Sequence, residues 1–372
     1  MQFIDLQAQY QFCQKKIDGR IKQVLAHGQY IMGPEVHELE YKLADYVGVK
    51  HAISCANGTD ALQIALMVLG IKQGDAVIVP TFTFFASAEA VAFVGATPVF
   101  VDSDPNTFNL SVAHLEDTIR HVQTHTNLNL KAIMAVDLFG QPADYVRIND
   151  IARQHGLLVI EDAAQGFGGT LKNHRSGSFG DIATTSFFPA KPLGCYGDGG
   201  AIFTNNDELA EMVRSLRVHG KGKNKYDNVR IGMNSRLDTI QAAILLEKLT
   251  LFPEELKRRQ YIASQYNTLL NAHDGLQTPR CQAQFTSSWA QYTMQAMRRP
   301  REYYQQLLKE QDIPTAIYYS TCMHQQTAFK TDKALSMPCP ISEQLAERCF
   351  SLPMHPYLTD DEIYKITSTL ME

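Results

Sequence analysis

Between residues 51 and 205, short β-branched and apolar runs alternate with helical patterns. Few architectures accommodate that rhythm other than a largely parallel sheet covered by helices on both faces. The runs are 51–56 (HAISCA), 76–80 (AVIVP), 97–102 (TPVFVD), 132–137 (AIMAVD), 157–161 (LLVIE), 182–187 (IATTSF) and 200–204 (GAIFT). Helices are expected between them at 59–69, where Leu62, Ala65, Leu66 and Leu69 share one face, at 85–94 and at 144–155. The fold class that follows is α/β, a doubly wound domain on a mostly parallel seven-stranded sheet.

Beyond 205 the rhythm changes to long helices, at 207–218 and at 237–249, the second continuing through charged residues towards 270. The chain of 372 residues is long enough for two units. We expect a large α/β domain over 1–250 and a smaller α+β domain over 251–372, with residues 1–25 packing on the smaller one. The formal charge of −5 leaves no global basic field, so neither nucleic acid nor an anionic membrane is expected as a partner. Seven scattered cysteines with no C-x-x-C spacing argue against disulfides or a zinc knuckle and suit a reducing cytoplasm. Neither a signal peptide nor a membrane-spanning apolar stretch is expected. His121 and His125 stand four apart but lack a third ligand, so no metal is expected.

Five features in chain order carry chemistry. Asn57-Gly58-Thr59-Asp60 lies where a strand gives way to a helix, a place that suits either an N-cap or a bound phosphate. It is not a G-x-G-x-x-G, which argues against a nicotinamide oxidoreductase. Phe82, Phe84 and Phe85 follow another strand end, where a flat aromatic could stack on a ligand ring or simply join the core. Asp162 ends the apolar run of residues 157–161 and could hold a pyridinium nitrogen protonated or cap a turn; Gln165 follows within reach of a ring hydroxyl. In Ser186 to Gly194 a strand runs into a Pro-bounded apolar turn that presents Lys191, surroundings in which an amine loses charge and becomes nucleophilic. Last, Arg236 follows a basic loop holding His219, Lys221, Lys223 and Lys225, and its fork suits a diphosphate or carboxylate.

Over essentially its whole length the chain resembles the DegT/StrS-type nucleotide-sugar aminotransferases, members of the aspartate aminotransferase superfold (fold type I). The resemblance rests on Asn57 to Leu62, Glu161 to Gln165, Ser186 to Gly194, Gly197 to Gly200 and Asn234 to Asp238, all in family order. It implies pyridoxal 5′-phosphate (PLP) held as a Schiff base on Lys191, which also moves the protons, with PMP as the aminated form. It implies further that Asp162 meets the ring nitrogen, Gln165 the ring hydroxyl, Phe84 the ring face, and Gly58, Thr59 and Ser186 the phosphate. Asn234 would come from the neighbouring subunit of a homodimer with shared active sites.

Within the family the stretches 27–35, 187–200 and 351–357 look most like the members that aminate C3 of UDP-2-acetamido-2-deoxy-3-oxo-glucuronic acid, with L-glutamate as amino donor, for bacterial surface polysaccharide. Gly28, Tyr30, Arg236 and Tyr319 would then face the keto sugar. Ala190 and Tyr318 occupy two further substrate positions, where that subgroup has Ser and His. His324 matches the wider family's small-domain histidine. The alternatives are amination of a dTDP-3-keto-6-deoxyhexose or another UDP-4-keto sugar, or a non-catalytic nucleotide-sugar binding or regulatory protein. A sugar dehydratase on this scaffold would carry His in place of Lys191.

Overall fold

In the computed structural model, which describes residues 1–371 apart from 225 and 331–333, each of the seven apolar runs forms a strand. Side chains of successive strand residues point to opposite faces, and the strand interiors are apolar in both phases. From strand Asp75–Pro80, Val77 and Val79 enter one core while Ala76 and Ile78 enter the other. From strand Asn129–Val136, Ala132 and Met134 divide from Ile133 and Ala135 in the same way. Helices Gly58–Val68, Phe85–Phe93 and Asp207–Leu216 contribute to the first core, and Val112–His125 and Tyr145–His155 to the second. A sheet buried on both faces has no polar alternation to display, and for that reason its strands read as continuous apolar runs.

The sheet has eight strands, one more than the seven expected. Their order is His51–Cys55, Gly200–Thr204, Ile182–Ser186, Leu158–Asp162, Asn129–Val136, Asp75–Pro80, Thr97–Val101 and Leu335–Ser336. The two-residue eighth strand pairs in parallel with Thr97–Val101 and comes from the far C-terminal part of the chain. A two-residue segment carries no periodicity that could announce it. Gly200–Thr204 alone runs antiparallel to both its neighbours, so Gly200 stands level with Cys55 and Ser186. The carboxyl ends of His51–Cys55, Ile182–Ser186 and Leu158–Asp162 and the start of Gly200–Thr204 therefore meet at one edge, where open α/β sheets bind ligands.

The expected helix at 237–249 begins at Thr239 and continues to Leu270, passing residue 250 without a break. Its C-terminal part joins a separate core with the antiparallel strands Leu276–Gln277, Tyr292–Ala296 and Cys349–Leu352 and the helices Arg301–Glu310 and Asp360–Met371. The N-terminal segment lies against this part of the molecule: Met354 N–H donates to the Phe3 carbonyl at 3.4 Å, and Phe12 packs on Tyr357. Among the described residues no helix is long and apolar enough to cross a membrane.

Candidate active site

The helix Gly58–Val68 starts where it does because the Asn57 side chain accepts from Asp60 N–H at 2.8 Å and its carbonyl accepts from Ala61 N–H at 3.1 Å. Asn57 is thus an N-cap, and the N–H groups of Gly58 and Thr59 are left at the positive end of the helix. Both residues line a cavity of about 450 Å³ at the sheet edge. A Cβ on Gly58 would fall 2.7 Å from Ser186 Cβ, so glycine is what lets the helix start close against the strand end.

Asp162 closes strand Leu158–Asp162 and faces the same cavity, 5% exposed, accepting from Ser87 Oγ at 2.8 Å and from Ala164 N–H at 3.2 Å. Burial raises its pKa above the usual carboxylate range, and the Ser87 and Ala164 hydrogen bonds and the nearby Lys191 ammonium oppose the rise. Lys191 is held in a turn by its own N–H to the Phe188 carbonyl at 2.9 Å, while Cys195 N–H and Phe187 N–H bond to the Phe187 and Gly199 carbonyls. Desolvation lowers the pKa of its ammonium, opposed by Asp162. An amine of lowered basicity and a buried carboxyl group thus share one enclosed space.

The structure resolves which phenylalanine faces that space. Phe82 is buried in a core and Phe85 packs on Phe329, whereas Phe84 caps helix Phe85–Phe93, lies 55% exposed and approaches Tyr319 with ring centroids 6.2 Å apart. Gln165 is engaged at both ends of its carboxamide, accepting from Phe139 N–H at 2.7 Å and donating to Tyr319 Oη at 3.0 Å. Ser186, Ala190, Tyr318 and Tyr319 complete the sequence-predicted residues that line the cavity.

Five others lie elsewhere in this chain. Asn234 and Arg236 line a neighbouring groove that shares Asn57 and Asp198 with the cavity, and Arg236 Nη2 donates to Asn234 Oδ1 at 2.7 Å. Gly28 ends helix Leu6–His27 in the left-handed conformation, and Tyr30 is exposed two residues further on. His324 contacts Thr81 Oγ1 at 2.7 Å through Nδ1 and Glu343 Oε1 at 2.9 Å through Nε2, so its ring joins chain segments rather than lining the cavity. Of the basic loop, Lys225 lies outside the described residues. The rings of His121 and His125 stack 4.8 Å apart on helix Val112–His125.

Sequence reasoning overlooked Ile4, Thr83, Thr184, Thr185 and Gln291, which also line the cavity. The two threonines at 184 and 185 sit in a run already read as a strand, and attention to polar residues near its carboxyl end would have found them. Ile4 and Gln291 arrive from distant segments, and no local signal marks them.

This is the fold of the fold type I pyridoxal-phosphate enzymes, with its cavity at their expected sheet edge. Residues 12–371 match the DegT/DnrJ/EryC1/StrS aminotransferase family. The UDP-2-acetamido-2-deoxy-3-oxo-D-glucuronate aminotransferase of Pseudomonas aeruginosa is 50% identical over 370 residues, covering 100% of this chain and 99% of that protein. The crystal structure of a family aminotransferase from Brucella abortus superposes with a TM-score of 0.97 at 51% identity, covering 100% of this chain and 98% of that one. A Bacillus subtilis structure with bound PMP superposes with a TM-score of 0.87 at 30% identity, covering 96% of this chain and 81% of that one. The chain belongs to the DegT/DnrJ/EryC1/StrS aminotransferase family. It is a sugar aminotransferase, and its cofactor is pyridoxal phosphate.

Proposed function

We propose that the protein transfers the amino group of L-glutamate to C3 of UDP-2-acetamido-2-deoxy-3-oxo-glucuronic acid, in the cytoplasm, as a step towards bacterial surface polysaccharide. The observation that carries the reading is the meeting of Lys191, Asp162 and the Gly58–Ser186 cradle in one cavity, on a chain half identical to a relative bearing that substrate in its name.

The residues present fit the cofactor. The close approach of Gly58 to Ser186 opens a cradle a side chain would fill, with helix N–H groups and hydroxyls of Thr59 and Ser186 suited to a phosphate. Bound there, the cofactor supplies an aldehyde for amine exchange and a ring that takes up electrons. Asp162 would hold the ring nitrogen protonated, since a buried carboxylate gains most from a cationic partner. Phe84 would cover one ring face, and Gln165 would turn its amide towards the ring hydroxyl. Lys191 would anchor the cofactor and, as an amine of lowered basicity, would carry a proton between the substrate's reacting carbon and the cofactor's C4′ carbon, on either side of the transferred nitrogen. Ala190, Tyr318 and Tyr319 would border the sugar.

A homodimer completes the site in this reading. Asn234 and Arg236 lie outside the lining of the chain's own cavity, on a loop whose neighbours Ile231 and Val229 are 89% and 52% exposed. They would reach the phosphate and the substrate of the partner's site, with Gly28, Tyr30 and His324 near the sugar's entrance. Replacing Lys191 with Ala or Arg should abolish turnover and leave noncovalent PMP binding intact, measured by product formation and by equilibrium dialysis of PMP. Retained turnover would sink the mechanism. Loss of the cofactor's visible band on adding glutamate, and its return with this keto sugar, tests donor and acceptor separately. Return only with a dTDP-linked or another UDP-linked keto sugar would redirect the substrate and keep the reaction.

A further inference from the structure

An enzyme that moves an amino group from an amino acid to a sugar must seat two unlike molecules in turn against the same reacting carbon. The amino acid brings an α-carboxylate one bond from its own reacting carbon, and a carboxylate taken out of water needs N–H or O–H donors or a cation. Among the described residues lining the cavity, Lys191 is the one cationic side chain, and the reaction itself occupies it. Within the chain's own wall the carboxylate can then meet neutral donors only, Arg236 of the partner subunit being assigned to the sugar substrate in the proposed dimer.

Gln291 has the position and the free capacity. It precedes strand Tyr292–Ala296, is 9% exposed and lines the cavity, and its side-chain Oε1 is buried without a hydrogen-bond partner. Its backbone N–H donates to the Phe139 carbonyl at 3.4 Å, and Phe139 N–H donates to Gln165 Oε1 at 2.7 Å. The Gln291 backbone is therefore tied to the stretch of wall that carries Gln165 and Tyr319. With Oε1 turned into the wall and no described residue hydrogen-bonded to Nε2, the N–H₂ group is the end left to meet a ligand in the cavity.

We propose that Gln291 is a substrate-binding residue for the amino-donor half of the cycle, its carboxamide N–H₂ donating to the α-carboxylate of the donor. This rests on the reading of the cavity as the transamination site. A neutral amide suits a site used by two substrates in turn. An arginine at this position would be left buried and unpaired whenever the sugar replaced the amino acid, whereas a neutral glutamine strands no charge in that half of the cycle.

The test uses holoenzyme and separates the half-reactions. The unreactive dicarboxylate glutarate is titrated calorimetrically into the PLP form of wild type and of Gln291→Leu, Gln291→Glu and Gln291→His. Single-turnover spectra then follow glutamate with the PLP form and the 3-oxo sugar with the PMP form. Expected are a rise of at least tenfold in the glutarate dissociation constant and in the glutamate half-saturation for Gln291→Glu, a smaller rise for Gln291→Leu, and partial recovery in Gln291→His, which keeps an N–H. The sugar half-reaction should stay within about twofold of wild type, well under the 1.4 kcal/mol of a tenfold change. An unchanged glutarate constant, or equal losses in both half-reactions, would overturn the proposal. If Gln291→Glu does not fold, the Leu and His variants decide the matter. Wild-type enzyme that binds glutarate but is never aminated by glutamate would overturn the parent reading instead.

Discussion

Gly58 shows how little room a single position has. Its missing Cβ lets the helix N-terminus sit against Ser186, and Gly58→Ala would place a carbon 2.7 Å from Ser186 Cβ. Such overpacking typically costs about 1–3 kcal/mol. The strain falls on the phosphate cradle, so PLP affinity should drop about tenfold, equivalent to ~1.4 kcal/mol, in a visible titration of apoenzyme. A second residue-scale case lies behind the cavity, where Asp137 and Glu161 are both fully buried and hydrogen-bonded to each other. Burial and the Asp137 charge push Glu161 well above the glutamate range. Asp137 is pushed up to about 6 by burial, against donors from Ser176, Tyr145 and Ala143. The folded pair keeps a proton that the unfolded chain has released by about pH 5. Its stabilising contribution is therefore complete below the unfolded pKa values and is lost as pH rises through the folded ones. Asp137→Asn should flatten the fall of unfolding free energy above about pH 5 by up to ~1.4 kcal/mol per pH unit, measured by urea unfolding across pH.

At the scale of elements, the strand that leads to Gly58 is fastened by a buried ion pair. Glu40 of helix Pro34–Val47 accepts from Ser54 N–H at 2.9 Å and Ser54 Oγ at 2.8 Å, and pairs with Arg217, the C-cap of helix Asp207–Leu216. Arg217 also donates to the Ser54 carbonyl at 2.7 Å and is 4% exposed. Removing one partner strands the other charge in a low-dielectric interior, so Glu40→Ala should lower stability by roughly 3–5 kcal/mol. Urea denaturation with cofactor bound would measure it, and Glu40→Gln should lose less because it still accepts from Ser54. Neither Glu40 nor Arg217 stood out in the sequence, because each sits among other charged residues of amphipathic helices and only packing pairs them. The seven strands and the helices Gly58–Val68, Phe85–Phe93 and Tyr145–His155 were legible to within a residue or three, since a two-faced core imposes its apolar pattern directly on the chain, whereas helix Val112–His125 was not among the expected elements.

For the whole molecule, the proposed dimer makes a quantitative prediction. If Asn234 serves the partner's site, a Lys191→Ala subunit joined to an Asn234→Ala subunit has one site carrying both defects and one carrying neither. Unfolding and refolding the two inactive variants in equal amounts should therefore restore about a quarter of wild-type activity, read as product formed per subunit. No recovery would place Asn234 in its own chain's site.

Local order along the chain was enough to locate the sheet, the strand-end carboxylate at Asp162, the turn bearing Lys191 and the glycine at the helix start, because each obeys a rule spanning fewer than about ten residues. Local pattern left Phe82, Phe84 and Phe85 equivalent, with only the family resemblance favouring Phe84, and folding alone decided that His324 bridges Thr81 and Glu343 and that Gln291 reaches the wall beside Gln165. Those outcomes depend on which surfaces pack together across 100 residues or more of chain, as in the Thr81–His324 bond with its separation of 243. Such packing is a property of the assembled cores, and no short window of sequence carries it.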